Sequence, residues 1–444
     1  MMPETTIDPR QIIDEAPLGP RQYLIYFILF LTLAIDGLDT QITSYLAPVL
    51  AKEWEISMAN LGLVFGIGLA GSAVGALTLG ALGDALGNKR IIVIATIAIG
   101  VATVAMGYAN TVTELAALRF ITGFAVGGSL PNLIALVSQF TPKRLRASLI
   151  TMIGCGFPAG AALAGLMATW LLDSEGWRSI YHFAGYLPLL LTPVIIFFLP
   201  ESLVSLLKRP DGQVKVRQIF ERIYGAQLSR EVQFRWANAS DKVVAPLAAI
   251  FRDGRALASV MLSAIFFLSL MNVYFLSNWL PGLLSQLHST PHEAIVATTV
   301  FNLGGMFGAL VLGRLIDRFG YARTLCTSLL CSGACMLMLA RFGFTGQSLQ
   351  LAAFVGGFVV LGGQGGLNSL PALIYPDHLR ATATGWAIGT GRLGSVTGPM
   401  LAGALLGAGW SSADVLSLTA LVPALASILL AILAFKLMRR SGAQ

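Results

Sequence analysis

The sequence predicts an all-α integral membrane protein of twelve transmembrane helices, arranged as two pseudo-symmetric six-helix bundles. Three observations predict it. Charged residues make up 11% of the 444 and hydrophobic residues 55%. Soluble domains carry about 25% charge, and charges are not hidden unpaired in a core, so most of this surface faces lipid. The apolar residues fall into runs of the ~17–25 residues that one crossing needs, bounded by charges and turn residues. Finally, landmarks of the first half recur in the second at a nearly constant offset.

Taken in order, spans one to six cover 23–48, 59–82, 91–109, 114–139, 147–172 and 180–199. Spans seven to twelve cover 256–284, 293–316, 323–342, 348–375, 381–406 and 413–437. Span one is not a cleavable signal peptide, because its apolar core is too long, acids are embedded in it and no small-x-small site closes it. In span two, Gly66, Gly68 and Gly71 match GxGxxG but follow no strand, so they read as close helix packing. Gly154 and Gly156 in span five read the same way. The chain divides into a tail 1–22, a first bundle 23–199, a connection 200–255, a second bundle 256–437 and a tail 438–444. The connection is basic and reads as a linker with short amphipathic helices on the membrane surface.

Lys and Arg orient the chain. With the N-terminus inside, 24 of the 29 fall in cytoplasmic segments, Lys52, Arg178 and Arg341 fall outside, and Arg119 and Arg392 lie within spans. Both termini are then cytoplasmic, and the net charge of +7 is explained without nucleic acid. Cys155, Cys326, Cys331 and Cys335 lie in apolar runs with no CxxC pair, so neither a disulfide framework nor a zinc site is expected. His288 and His292 have metal-like spacing, but Pro291 intervenes in an outer loop. No metal or cofactor is called for, and no Ser/His/Asp constellation or phosphate loop is present.

The halves repeat. Gly80, Asp84, Gly87 and Arg90 in GALGDALGNKR return as Gly313, Asp317, Gly320 and Arg323 in GRLIDRFGYAR, 233 residues later. PKRLRAS, with Pro142 and Arg146, returns as PDHLRAT, with Pro376 and Arg380, at an offset of 234. Two independent landmarks with nearly one offset imply a parallel duplication, the arrangement in which two bundles rock around a midplane cavity.

These paired G-x-x-x-D-x-x-G loops resemble the signature of the major facilitator superfamily, and the resemblance covers essentially the whole chain. DGLDTQI in span one, RFITGFAVGGSLPN in span four, GGQGGLNSLPALIYP in span ten and GWAIGTGRLGSVTGP in span eleven are similar to the aromatic acid:proton symporter family. The resemblance implies proton-coupled uptake of a small aromatic carboxylate, of benzoate or hydroxybenzoate type, by alternating access. It also implies a functional monomer in the lipid bilayer of a bacterial inner membrane, a carrier and not an enzyme. Gating falls to Asp84, Arg90 and Arg146 in the first half and to Asp317, Arg318 and Arg380 in the second. The first loop departs from the superfamily pattern, with Ala85 and Asn88 where arginines are usual and Gln139 where many relatives carry an acid. The departures agree, since an acid without arginine partners is costly near the membrane.

Four formal charges lie well inside spans: Asp36, Asp39, Arg119 and Arg392. Each is a functional candidate, because an ionisable group at mid-bilayer costs about 2.5–3.5 kcal/mol on insertion scales. Asp36 and Asp39 share a helical face with Thr40 and Thr43, and Gly37 permits close approach of a neighbouring helix. Two carboxylates so close resist ionising together, a property that suits a proton carrier. Sugar-porter relatives set an Asp on span one against an Arg on span four, and Asp39 matches that Asp. Asp39 is therefore the expected coupling acid, held by Arg119 until protonation releases it, with Asp36 tuning it or taking a second proton. Arg392 has no embedded acid in spans seven to twelve, so a substrate carboxylate is its expected partner; backbone carbonyls or Gln364 are the alternative.

Polar residues on spans expected to line the cavity are Tyr45, Asn132, Asn272, Asn278, Asn302, Gln364 and Asn368, and Phe157, Trp279, Phe301 and Trp386 offer faces for a flat ring. Each is also a candidate for ordinary helix packing. Competing functions are a symporter for another organic acid, a drug exporter and a transporter-like aromatic-acid chemoreceptor. GCGFPAGAALAG in span five lacks the G-x-x-x-G-P-x-x-G-G motif of drug antiporters, which argues against export. The basic loop is short for a signalling surface, which argues against a receptor.

Overall fold

The computed structural model describes residues 6–225, 232–236, 246–287 and 290–441, and side chains at 84, 377 and 438–441 lie outside that description. Span one is Pro20–Glu53, span two Met58–Leu86, span three Asn88–Met106 and span four Val112–Phe140. Spans five and six run through Arg146–Gly154 and Gly156–Phe198. Span seven is Ala256–Leu287, span eight Pro291–Phe319, span nine Tyr321–Arg341 and span eleven Asp377–Gly407. Span ten is Gly346–Leu367 followed by Leu370–Ile374, and span twelve is Ser412–Thr419 with Leu421–Ser441.

Ten stretches among the described residues have the length and hydropathy of a crossing. One of them, Arg146–Phe198, has 53 residues. At 1.5 Å per residue that would be about 80 Å of helix, far beyond a bilayer core of about 30 Å. Gly176, at φ 76° and ψ 168°, breaks it into two. Asp377–Gly407, 31 residues long, completes the twelve. Helix starts carry the expected caps: the Ser57 and Thr111 hydroxyls accept from the N–H groups of Asn60 and Glu114, and Thr290 with Glu293 forms a capping box.

The duplication read from sequence is also a duplication of geometry. Spans two and four pack together as do eight and ten, one and five as do seven and eleven, and three and six as do nine and twelve. Gly87 and Gly320, the repeated loop glycines, both adopt positive φ (110° and 83°) where one span ends and the next begins; most residues adopt that conformation only with strain. Arg146 donates to the Thr141 carbonyl and Arg380 to the Tyr375 carbonyl, each five residues back.

Close seams hold each bundle together. A Cβ at Gly37 would lie 1.9 Å from the Phe157 carbonyl oxygen and one at Gly160 would lie 1.6 Å from that of Ala34, so spans one and five meet backbone to backbone. Gly75 against Phe124 and Gly357 against Phe301 do the same for the pairs two–four and eight–ten. Gly66 meets the Met400 side chain and Gly71 the Phe120 backbone, so the GxGxxG glycines do serve helix packing.

Between bundles, span two meets span eleven and span five meets span eight. On the face away from the termini the fit is tight: a Cβ at Gly62 would lie 2.9 Å from the Pro399 carbonyl oxygen, and one at Gly165 would lie 2.0 Å from Thr299 Oγ1. Toward the face that carries the termini, Gly154, Gly313, Gly385 and Gly389 have nothing within 4 Å of such a Cβ. The bundles are therefore closed on one face and parted on the other.

The linker differs from the surface-lying helices expected. Helix Gly212–Tyr224 buries Val216 and Phe220 in the first bundle's core, together with Ile13 of the N-terminal helix Pro9–Glu15. Thr6–Ile7 pairs in parallel with Gln233–Phe234, and Arg10 lies 4.7 Å over the Trp236 ring. Apolar side chains on the inner face of an amphipathic helix gain as much from a protein core as from lipid, and here the bundle's underside supplies that core. Beyond the undescribed stretch, Ile250 is buried in the second bundle. In detergent, Gly160→Val should lower the thermal midpoint by an amount equivalent to about 1–3 kcal/mol of overpacking, whereas Gly385→Ala should leave it unchanged within about 0.5 kcal/mol.

Candidate functional site

Between the parted halves lies a cavity of about 280 Å³, lined by residues of both bundles. Three of the four embedded charges meet on its first-bundle wall and the fourth, Arg392, faces them from span eleven. The helical spacing of Asp36 and Asp39 does put both on the inner face of span one, 1% and 2% exposed.

Asp39 is fully engaged. Thr103 of span three donates to its Oδ1 at 2.7 Å, and Arg119 Nη1 of span four reaches its Oδ2 at 3.2 Å and its backbone carbonyl at 2.7 Å. Arg119 Nη2 donates to the Thr40 carbonyl at 3.2 Å. A buried ion pair offsets its desolvation only when such extra hydrogen bonds are made, and here the helix backbone supplies them. Asp36 is the opposite case. It lies beside Ser129, yet neither carboxylate oxygen has a hydrogen-bond partner. A carboxylate buried without donors is among the costliest groups a fold can hold.

Arg392 is partly buried, and Nη1 donates to Ser72 Oγ of span two at 3.3 Å and to Tyr274 Oη of span seven at 3.4 Å. Both contacts are long and neutral, and no carboxylate pairs with Arg392 among the described residues. Neither a broken helix backbone nor Gln364 takes the guanidinium. Leu33, Leu69, Val126, Leu130 and the Phe157 side chain make the rest of the wall largely apolar.

The other polar residues read from sequence do not line this cavity. Tyr45, Asn278, Asn302 and Trp279 plug the closed face. The Tyr45 hydroxyl donates to the Ala161 carbonyl and accepts from Asn302, Ser44 donates to Asn278, and Trp279 Nε1 donates to the Pro399 carbonyl at 3.0 Å. Asn272 donates to Ser332, Gln364 accepts from Ser269 and donates to Asn368, and Trp386 donates to Ser263. Phe301 packs on Gly357, and Asn132 bonds Asn88 and the Leu79 carbonyl.

Of the six gating residues, Arg146 and Arg380 each bond a backbone carbonyl of their own half. Arg90, Asp317 and Arg318 are exposed, Arg318 lying over the Phe319 ring, and the Asp84 side chain and His288 fall outside the described residues. Gln139 accepts from the Ser202 hydroxyl at 2.9 Å, a bond for which no acid is needed.

Sequence reading missed Thr103, Ser72, Tyr274 and Gln41, whose amide donates to the Ser277 carbonyl across the bundles. Tyr274 alone carried a signal, a phenol in mid-span one turn before Asn278. Nothing in sequence separates Ser72 or Thr103 from other hydroxyls that bond their own helix.

Two six-helix halves around a charged central cavity, closed on one face and open on the other, define a secondary carrier. The chain belongs to the Major Facilitator Superfamily, whose family model matches residues 29–281 and 262–444. It is 34% identical over 424 residues to the 4-hydroxybenzoate transporter PcaK of Pseudomonas aeruginosa, covering 95% of this chain and 94% of that protein. It is 32% identical over 406 residues to the gallate transporter of Pseudomonas putida, covering 91% and 90%. Among solved structures, the xylose transporter XylE from E. coli in an inward open conformation is similar in fold, with a TM-score of 0.72 at 16% identity, covering 92% of this chain and 95% of that one.

Because Asp36 is buried without a hydrogen-bond partner, Asp36→Leu, which removes the unsatisfied polar group, should raise the thermal midpoint by an amount equivalent to about 1–3 kcal/mol. Arg119→Ala should lower it by about 3–5 kcal/mol, since Asp39 is then left uncompensated. Differential scanning fluorimetry of the two purified variants checks both signs.

Proposed function

We propose that the protein takes up a small aromatic carboxylate, of benzoate or hydroxybenzoate type, together with protons. The observation that carries this reading is Arg392, a partly buried cation in an apolar cavity with two neutral partners at 3.3 and 3.4 Å. A carboxylate would replace those long contacts with a charge-assisted, bidentate pair, and the Phe157 ring and the leucines would cover the flat body. The relatives named for 4-hydroxybenzoate and gallate support the substrate class. The distribution of Lys and Arg supports cytoplasmic termini in a bacterial inner membrane, so that the open face is the cytoplasmic one.

On this reading the two acids divide the coupling. Asp39 is the coupling acid, and its proton would release Arg119 from span one. Asp36, with no donor to hold a charge, takes the second proton or sets the first. The plug of Tyr45, Asn278, Asn302 and Trp279 parts when the cavity opens outward, exposing those groups to incoming substrate, and the six gating residues then meet on the cytoplasmic side. The protein acts as a monomer without a cofactor, as a carrier and not as an enzyme.

Proteoliposomes with an imposed pH gradient, offered benzoate, 4-hydroxybenzoate, protocatechuate, gallate and a non-aromatic acid, test the reading. Accumulation of the aromatic acids alone is expected; binding without proton-linked flux would instead favour a receptor. Asp39→Asn should abolish gradient-driven accumulation while retaining exchange. Arg392→Ala should weaken substrate binding by about 10- to 150-fold, from the ~1.5–3 kcal/mol of a hydrogen bond to a charged group, with Arg392→Lys between. Unchanged Kd in both variants would overturn the carboxylate role.

A further inference from the structure

A second cleft, of about 430 Å³, lies at the terminus-bearing edge of the first bundle, far from the central cavity. Its walls are the start of span one, the start of span three, the end of span six and the linker helix Gly212–Tyr224. Four cations, Arg21, Lys89, Lys215 and Arg222, line it against a single acid, Glu201. Glu201 is spoken for: its Oε1 accepts from the N–H groups of Lys89 at 3.1 Å and Ser202 at 2.9 Å. Lys89 Nζ donates to the Ile196 carbonyl at 2.7 Å and Lys215 pairs with Asp211. Arg21 and Arg222 have no hydrogen bond or ion pair among the described residues, although they line the same cleft from two elements.

The outer wall has the opposite character. Phe197 and Phe198, at the end of span six, are 72% and 54% exposed, and Leu24 is 39% exposed. Apolar side chains at that level of a membrane protein face acyl chains, and unpaired guanidinium groups a few residues further out face headgroups. A soluble anion would use the cations and leave the phenylalanines idle.

We propose that this cleft binds an anionic phospholipid of the cytoplasmic leaflet. Its phosphate sits between Arg21 and Arg222, and its acyl chains run along Leu24, Phe197 and Phe198. The lipid would bridge span one to the linker helix and so fasten the linker to the membrane as well as to the bundle.

Native mass spectrometry of the purified full chain, with phosphatidylglycerol or phosphatidylethanolamine added, tests this. Wild type should retain phosphatidylglycerol in preference to phosphatidylethanolamine. The double variant Arg21→Glu/Arg222→Glu should lose at least about 10-fold of the bound phosphatidylglycerol, given the effect of each basic residue near an anionic surface. Arg21→Lys/Arg222→Lys should keep it, as should Arg314→Glu in the second bundle. Equal retention of the two lipids by wild type, or retention by the charge-reversed variant within twofold of wild type, would overturn the proposal. Displacement of phosphatidylglycerol by millimolar inorganic phosphate would overturn it in favour of a soluble-anion site. The lipid comparison and the phosphate competition need only the wild-type chain.

Discussion

Arg119 bound to Asp39 is the interaction around which the first bundle's inner wall is built. Lipid offers no water to a polar group, so each must find its partner inside the protein. Arg119 finds two backbone carbonyls of span one as well as a carboxylate, and Thr103 brings span three to the same acid. Three helices are thereby fixed to one point. The two Nη atoms of that guanidinium are committed to Asp39 and Thr40, and Asp36, one turn earlier, makes no hydrogen bond to it. A satisfied pair and an unsatisfied acid thus line one cavity wall.

The glycine seams make this possible at close range. Span one can present both acids inward only because Gly37 and Gly160 let span five approach to backbone contact. Dispersion and close backbone approach, more than hydrophobic burial, hold helices together in lipid, so the seams also supply much of the cohesion. The same device closes the two bundles against each other at Gly62 and Gly165 on one face only. The parted face leaves the cavity open to one side, and Arg392 and Asp36 line that same cavity from opposite bundles.

Much of this was legible in the chain. The twelve crossings, the duplication and the four embedded charges rest on properties local to a segment: run length, repeated spacing and the cost of a charge in hydrocarbon. The repeat extended further than its letters, since Gly87 and Gly320 share a positive φ and Arg146 and Arg380 share a backbone bond. The cavity wall was less legible. Tyr45, Asn278, Asn302 and Trp279 lie on the expected helices, but at the level where the bundles touch; the polar atoms of Tyr45, Asn278 and Asn302 are used across that contact, and that of Trp279 within the second bundle. Depth along a helix is visible in sequence; which depth is closed depends on how two rigid halves tilt. Ser72 escaped for the same reason, as its bond to Arg392 exists only once the halves meet, whereas Tyr274 meets Arg392 inside the second bundle, between spans seven and eleven. The linker was misjudged because an amphipathic helix does not declare whether its apolar face meets lipid or protein.

That docked linker sets a mechanical limit. The chain through Trp236 is tied to the first bundle by the pairing of Thr6–Ile7 with Gln233–Phe234 and by Arg10, and from Ile250 onward it is anchored in the second. Of a connection of more than fifty residues, only about a dozen separate Trp236 from Ile250, and a chain of that length can span about 45 Å at most. However far the two halves rock, covalent chain length alone keeps Trp236 and Ile250 within that distance of each other.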